Sequence, residues 1–284
     1  MLATMFVTMA CFAPETYLTA GEIMQRVIEN QTRAQEARKQ WVYTQVVFAR
    51  STQRNKSLMR EETRTFRVLP SEKSTKRELL SVTGQRRVKN KLERYDGALS
   101  GKDDDSIDEW VSDLAEGKED HDESKGGIRD AFGPNVFPLA GGKLKGYTFT
   151  RKNDAEFRGH PVYSVEYKPK KKGKYDYEGD PWEGEVLVDK VSFQPVFISS
   201  FLAFKMPMAV KILLGTNIRD LGFKIEYDKF GDVWFPVKGS GEFKLDAVWF
   251  FKRNGTYSMK CYDFKERHRR IVNYIFAVIV PTGD

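Results

Sequence analysis

The ten residues LGFKIEYDKF, Leu221 to Phe230, limit the fold more than any other stretch of the chain. Phe223, Ile225 and Tyr227 share one parity, and Lys224, Glu226 and Asp228 share the other. In extended backbone, side chains two apart point the same way, so one face is apolar and the other is charged. On a helix the same residues would be scattered around the axis. The stretch therefore reads as a half-buried strand in an antiparallel sheet with one wet face. Alternating or β-branched runs bounded by turn residues recur from Trp41 onward, in WVYTQVVFAR, Arg60 to Leu69, Arg77 to Thr83, GYTFTRK, EFRG, PVYSVEYKP, GEVLVD, VFISSFLAF, the long stretch from Asp232 to Arg253, TYSMKCYDFKER and NYIFAVIVP. That is about ten strands by the alternation rule. A sheet of that size tends to curl or close. Gly and Ser in GSGEF, Gly239 to Phe243, are expected to mark a bend in it.

Two parts break the pattern. Ala20 to Gln40 reads as a helix, with Ile23, Met24, Val27 and Ile28 on one stripe. Thr19 and Glu22 have the spacing of a capping box at its start. Val88 to Lys125 loses the strand character and is dense in charge and glycine. Within it, Ile107, Trp110, Val111 and Leu114 make one apolar face of a short helix, so the segment from about 97 to 127 reads as an acidic helical insertion. The expected organisation is a signal or signal remnant over 1–20, then one domain over 21–284.

Residues 1–20 are apolar and carry no charge before Glu15, with small residues suited to cleavage at Ala13 or Ala20. Thr8-Met9-Ala10-Cys11 is also a degenerate lipobox, which leaves lipidation of Cys11 open. Only Cys11 and Cys261 are present, so the exported chain would hold no internal disulfide. Cys261 is expected to behave as a small buried hydrophobe.

Catalytic signatures are missing from the sequence. It has no phosphate-binding loop, no Gly-x-Ser-x-Gly, no His-Glu-x-x-His and no Cys-x-x-Cys. KDDDSIDE lacks the glycine and the closing glutamate of a calcium loop. His121, His160 and His268 stand in a charged loop, before a proline and in a basic tail. Asp189 ends the run GEVLVD and is followed by Lys190 to Gln194 and a second apolar run, which is the place of a turn residue. A hydrolase would need Asp189, His160 or His268 to converge in a cleft. The 47 Lys and Arg against 40 Asp and Glu give +7, but basic and acidic runs are separate and no nucleic-acid module is visible. No metal, cofactor or nucleic acid is expected as a partner, whereas peripheral contact with anionic lipid remains open.

The order of parts resembles the LolA/LolB-like lipoprotein-localisation superfamily. The resemblance lies in the helix GEIMQRVIENQTRAQEARKQ leading into WVYTQVVFAR, in FRGHPVYSVEYKP followed by GEVLVDKVSFQPVFI, and in GDVWFPVKGSGEF. It runs from about Ala20 to Phe264; the acidic insertion and the long final tail depart from it. It implies a mainly β, α+β fold, in which a large curved antiparallel sheet forms an incomplete β-barrel covered by the N-terminal helix and the helical insertion. It also implies a non-enzymatic, periplasmic or outer-membrane-associated protein that binds acyl chains of lipids or lipoproteins in a hydrophobic cavity, as a carrier. A scaffold or sensor domain that binds an envelope protein partner is the alternative. The residues expected to line the cavity are Trp41, Tyr43, Phe66, Tyr163, Val165, Tyr167, Phe197, Phe201, Phe223, Ile225, Trp234 and Trp249, with Ile107, Trp110, Val111 and Leu114 as lid.

Overall fold

The computed structural model describes residues 17–69, 76–97, 141–171, 182–203, 216–247 and 252–267. One helix, α1 (Ala20–Arg38), precedes twelve strands. These are β1 (Trp41–Gln53), β2 (Leu58–Leu69), β3 (Lys76–Val88), β4 (Lys91–Asp96), β5 (Tyr147–Arg151), β6 (Ala155–Phe157), β7 (His160–Pro169), β8 (Trp182–Asp189), β9 (Pro195–Leu202), β10 (Thr216–Phe230), β11 (Val233–Ala247) and β12 (Lys252–Glu266). A 3-10 segment, Gly141–Gly146, leads into β5.

All strands belong to one antiparallel sheet in the order β4-β3-β2-β1-β12-β11-β10-β9-β8-β7-β5, with β6 paired to β7. The path ends at β4 and β5, so among the described residues the sheet does not close. The fold is mainly β, as expected. Among the described residues the first and last strands, β1 and β12, pair in its middle, from Trp41 opposite Glu266 to Gln53 opposite Arg253; the strand expected at NYIFAVIVP lies outside the described residues.

Residues directly opposite each other in antiparallel strands point to the same side. The register therefore draws rows across the sheet. One row runs Val165, Val186, Ile198, Ile225, Gly239, Met259, Val47, Arg64 and Val82. The next runs Tyr167, Gly184, Ser200, Phe223, Gly241, Tyr257, Ala49, Glu62, Gly84 and Tyr95. This is the inner face, and α1 lies on one half of it. Gly239 to Phe243 stays in unbroken register with β12, so the bend expected there is not a break in pairing. The breaks fall elsewhere, between Arg219 and Gly222, Glu226 and Tyr227, Val42 and Thr44, Ser51 and Thr52, Thr65 and Phe66, and Leu187 and Val188.

The helix forms where the sequence places it. Thr19 accepts from the Glu22 backbone N–H and Glu22 accepts from the Thr19 backbone N–H, completing the capping box. Ile23, Met24, Val27 and Ile28 are buried; the first three pack on Val162, Val165, Val186, Ile198 and Ile225. Burying four such side chains contributes on the order of 6–12 kcal/mol before ordering costs. The helix stops at Arg38, short of the expected Gln40.

The clearest correction concerns Lys91–Asp96. Its charge placed it in the Val88–Lys125 stretch read as losing strand character, but KLERYD is β4, paired to β3 from Val88 opposite Lys91 to Thr83 opposite Asp96. An edge strand is solvated along its outer side, so apolar alternation is not required of it. Only Tyr95 and its register mates show which face turns inward. The remainder of the insertion, residues 98–127, lies outside the described residues.

Candidate functional site

Two apolar clusters share the inner face. The first holds the α1 stripe together with Tyr147, Val165, Tyr167, Val186, Val188, Phe223, Ile225, Tyr227 and Trp234. The second comprises Val47, Ala49, Phe66, Phe243, Tyr257, Met259 and Cys261, with Tyr43, Trp182, Leu202 and Phe264 packed against it, and contains no residue of α1. Trp182 touches both clusters and meets the Phe223 ring edge-on at 5.3 Å.

The second cluster is the candidate binding surface, because strands β1, β2, β11 and β12 present aliphatic and aromatic side chains there without the helix. The outer end of the Phe243 ring lies against Gly255: a Cβ added at that glycine would sit 1.9 Å from the ring. At its lower end, Asp263 takes φ 58° as the extra residue of a β-bulge. The bulge re-aims Phe264 inward. There Phe264 stacks on Tyr43 at 5.1 Å and on Phe230 at 4.0 Å, and Trp41 and Phe235 join the aromatic group. Cys261 is buried, and burial pushes its thiol up to about 12.

The upper end of the same face is charged. Arg60, Glu62 and Arg64, at alternate positions of β2, all point inward and are buried. Glu62 accepts from Arg60 Nη2 at 2.9 Å, from the Tyr95 hydroxyl at 2.7 Å and from Arg64 Nε. Tyr95 reaches Glu62 across Gly84, where an added Cβ would meet the ring at 2.6 Å. Burial alone would raise the Glu62 carboxyl, but the Tyr95 hydrogen bond and the two arginines outweigh it and hold it below the ordinary range. Burial and the Glu62 carboxylate together push Tyr95 up to about 12. The inner face thus runs from an aromatic end through an aliphatic strip to a buried polar end in which two guanidinium groups share one carboxylate.

The expected cavity residues separate into four groups. Tyr163, Val165, Tyr167, Phe223, Ile225 and Trp234 belong to the α1-covered cluster, with Tyr163 at its rim beside Arg151 and Phe193. Phe66 lies in the second cluster, Trp41 in the aromatic end, and Tyr43 between the two. Phe197 and Phe201 do not face this side. They alternate with the inward Val196, Ile198 and Ser200, and Phe201 is 50% exposed. Trp249, the lid residues Ile107, Trp110, Val111 and Leu114, and Cys11 lie outside the described residues. Arg60, Glu62, Arg64 and Tyr95 were missed. Their signal was the parity of Arg60, Glu62, Arg64, Phe66 and Val68, which puts the charges on the apolar face.

Asp189 and His160 do meet, His160 Nδ1 lying 3.3 Å from Asp189 Oδ2. The other carboxylate oxygen accepts from the Val191 and Ser192 backbone N–H groups and from the Ser192 hydroxyl. A serine nucleophile must bond the histidine, not the acid. Ser192 bonds the acid, so the carboxylate fastens the turn between β8 and β9. That turn in turn holds α1: Asn30 Nδ2 donates to Ser192 O at 2.6 Å, and Gln194 Nε2 donates to Asn30 O at 3.1 Å. At the far end of α1, Arg38 Nε donates to Trp234 O at 2.6 Å. Burial lowers the Arg38 guanidinium, with Tyr227 and Tyr43 pulling the other way. Among the described residues, no three His, Cys, Asp or Glu side chains stand together as metal ligands, and no helix is long and apolar enough to cross a membrane.

This is an open antiparallel sheet with one helix laid on half of its inner face. Solved structures similar to it over most of its length include a LolA superfamily protein from Nitrosomonas europaea, at 12% identity over 89% of this chain and 96% of that one, TM-score 0.34. Another is a domain from Vibrio parahaemolyticus named for outer membrane lipoprotein sorting, at 11% identity over 86% and 93%, TM-score 0.36. A third is a DUF1329 family protein from Desulfovibrio piger, at 11% identity over 86% and 92%, TM-score 0.32. No protein-family model matches the sequence, and no curated protein does. With identities this low and TM-scores below 0.5, the chemistry of these proteins stays with them.

Proposed function

We propose that the protein binds an acyl chain of a lipid or lipoprotein along the inner face of β1, β2, β11 and β12, without catalysis. One observation carries the reading: the apolar strip from Tyr43 to Tyr257 continues the core beyond the helix, in a cluster to which α1 contributes nothing. An alkyl chain bound there would gain about 0.8 kcal/mol per methylene it buries, and it would have to enter among side chains that are only 1–7% exposed in this structure. A chain of some twelve methylenes gains on the order of 10 kcal/mol in full burial, and less in the partial burial that lets a carrier release its cargo. The single domain from residue 21 and export to the cell envelope belong to the same proposal; export rests on the apolar, uncharged start of the chain.

The test is to purify the full-length protein from its own cells without detergent and measure organic-extractable lipid by mass spectrometry. Acyl lipid at about one equivalent supports the proposal. Protein that carries no lipid, and takes up none from vesicles, overturns it. A stoichiometric protein partner without lipid would favour a scaffold instead.

A further inference from the structure

The opposite face of the sheet carries its own feature. A trough of about 360 Å³ crosses β1, β12, β11, β10 and β9 there, between two outward rows of side chains. The first row is Val46, Lys260, Lys238, Glu226 and Phe197. The second is Phe48, Ser258, Ser240, Lys224 and Ser199. The small Ser240 and Ser258 are direct register partners and leave room between the longer side chains. Val46 and Phe48 make one end apolar and Phe197 the other, all three half-buried.

The charges do not balance. Lys238 and Lys260 are directly opposite each other, a cross-strand pairing of like charges that is unfavourable by itself. Glu226, which is also among the lining residues, is occupied by Lys238 at 3.1 Å and by Arg158 at 3.1 Å. Lys224 and Lys260 have no ion pair among the described residues, so two positive charges at the trough are uncompensated. Two cations beside a small apolar-ended depression match an occupant with a doubly negative head and one alkyl chain. A phosphate monoester carries about −1.5 to −2 at neutral pH. A carboxylate would neutralise only one of the two lysines.

We propose that this trough binds a single-chain amphiphile with a phosphate monoester head, the head between Lys224 and Lys260 and the start of the chain against Val46 and Phe48 or Phe197. The trough opens on the face opposite the inner one, where these side chains point; Gly239 and Met259, of the inward row, also line it between the two outward rows. Electrostatic attraction orients the head, and the apolar ends add the contact that selects an amphiphile over free phosphate.

The test titrates the full chain with dodecyl phosphate below its micelle-forming concentration, read by calorimetry. Dodecanoate, dodecyltrimethylammonium and inorganic phosphate serve as comparison probes. Dodecyl phosphate is expected to bind best. Lys224→Gln and Lys260→Gln are each expected to weaken it about fivefold, the scale of an exposed charge contact. Ser240→Leu, which fills the trough from the solvent side, is expected to abolish the same binding while leaving the melting temperature within a few degrees. The proposal is overturned if dodecyltrimethylammonium binds as well, if inorganic phosphate binds as tightly as dodecyl phosphate, or if the lysine and serine variants bind like the parent. It is also overturned if dodecyl phosphate does not bind and only anionic phosphatidylserine vesicles do, because the face is then a membrane dock.

Discussion

Replacing Glu62 by Gln would remove the one negative charge from the buried polar end of the inner face. The side chains of Arg60, Glu62 and Arg64 are 7%, 5% and 11% exposed, so water does little to screen them. Gln keeps the shape but places an NH2 group against donors, since Arg60, Arg64 and Tyr95 all donate to Glu62. Breaking a buried ion pair by removing one partner costs about 3–5 kcal/mol. At about 3 kcal/mol, and an m-value of about 1–3 kcal/mol/M, the urea midpoint falls by about 1 M or more. Tyr95→Phe loses one hydrogen bond to the same carboxylate and is expected to cost about 1.5–3 kcal/mol. The double variant should cost clearly less than the sum, because both changes act on the same carboxylate. The pH dependence has a definite sign. The Glu62 pKa is lowered in the folded state, so its contribution is present above the unfolded value, about 4.3, and is lost as pH falls through the folded value. The parent should lose stability across that window more steeply than Glu62→Gln. A loss under about 1 kcal/mol at pH 7, with parallel acid titrations, would refute the reasoning and place the cluster with solvated surface pairs.

Three other perturbations test the scaffold. Gly255→Ala drives a Cβ into the Phe243 ring and is expected to cost about 1–3 kcal/mol in urea unfolding, part of it recovered by adding Phe243→Leu. Thr19→Ala removes the cap of α1 and is expected to cost about 1 kcal/mol, read as a lower melting temperature with the strand signal in circular dichroism unchanged. Asp189→Ala leaves the Val191 and Ser192 amides without their acceptor and is expected to cost about 1–3 kcal/mol. The same variant should retain bound lipid as the parent does; a loss of lipid without a loss of stability would show that Asp189 serves binding and not the turn.

The sequence was most legible where a single strand or helix decides its own orientation. Phe223, Ile225 and Tyr227 alternate with charges, so one face is inward whatever pairs with them. Thr19, Glu22 and the Ile23–Val27 stripe define α1 in the same local way, and Asp189 sits where its own turn uses its carboxylate. Legibility failed where parity is ambiguous or solvent hides it. In VFISSFLAF both parities are apolar, and only pairing with β10 shows that Ile198 turns inward and Phe197 and Phe201 outward. Lys91–Asp96 is an edge strand, so its charges masked it. Arg60, Glu62 and Arg64 contradict the rule that inward positions are apolar, and their partner Tyr95 is remote in sequence. The trough between Lys224 and Lys260 depends on the register of five strands, which no local pattern supplies.

The central claim, that an acyl chain lies on the inner face beyond α1, is tested most directly by photo-crosslinking. A fatty acid with a diazirine at the chain end would be bound to the full-length protein, irradiated, and the adducts located to single residues by mass spectrometry. Adducts are expected on inward side chains of the second cluster, among them Tyr43, Phe66, Tyr257 and Met259. Saturable labelling confined to outward residues, or no saturable labelling at all, would contradict the claim.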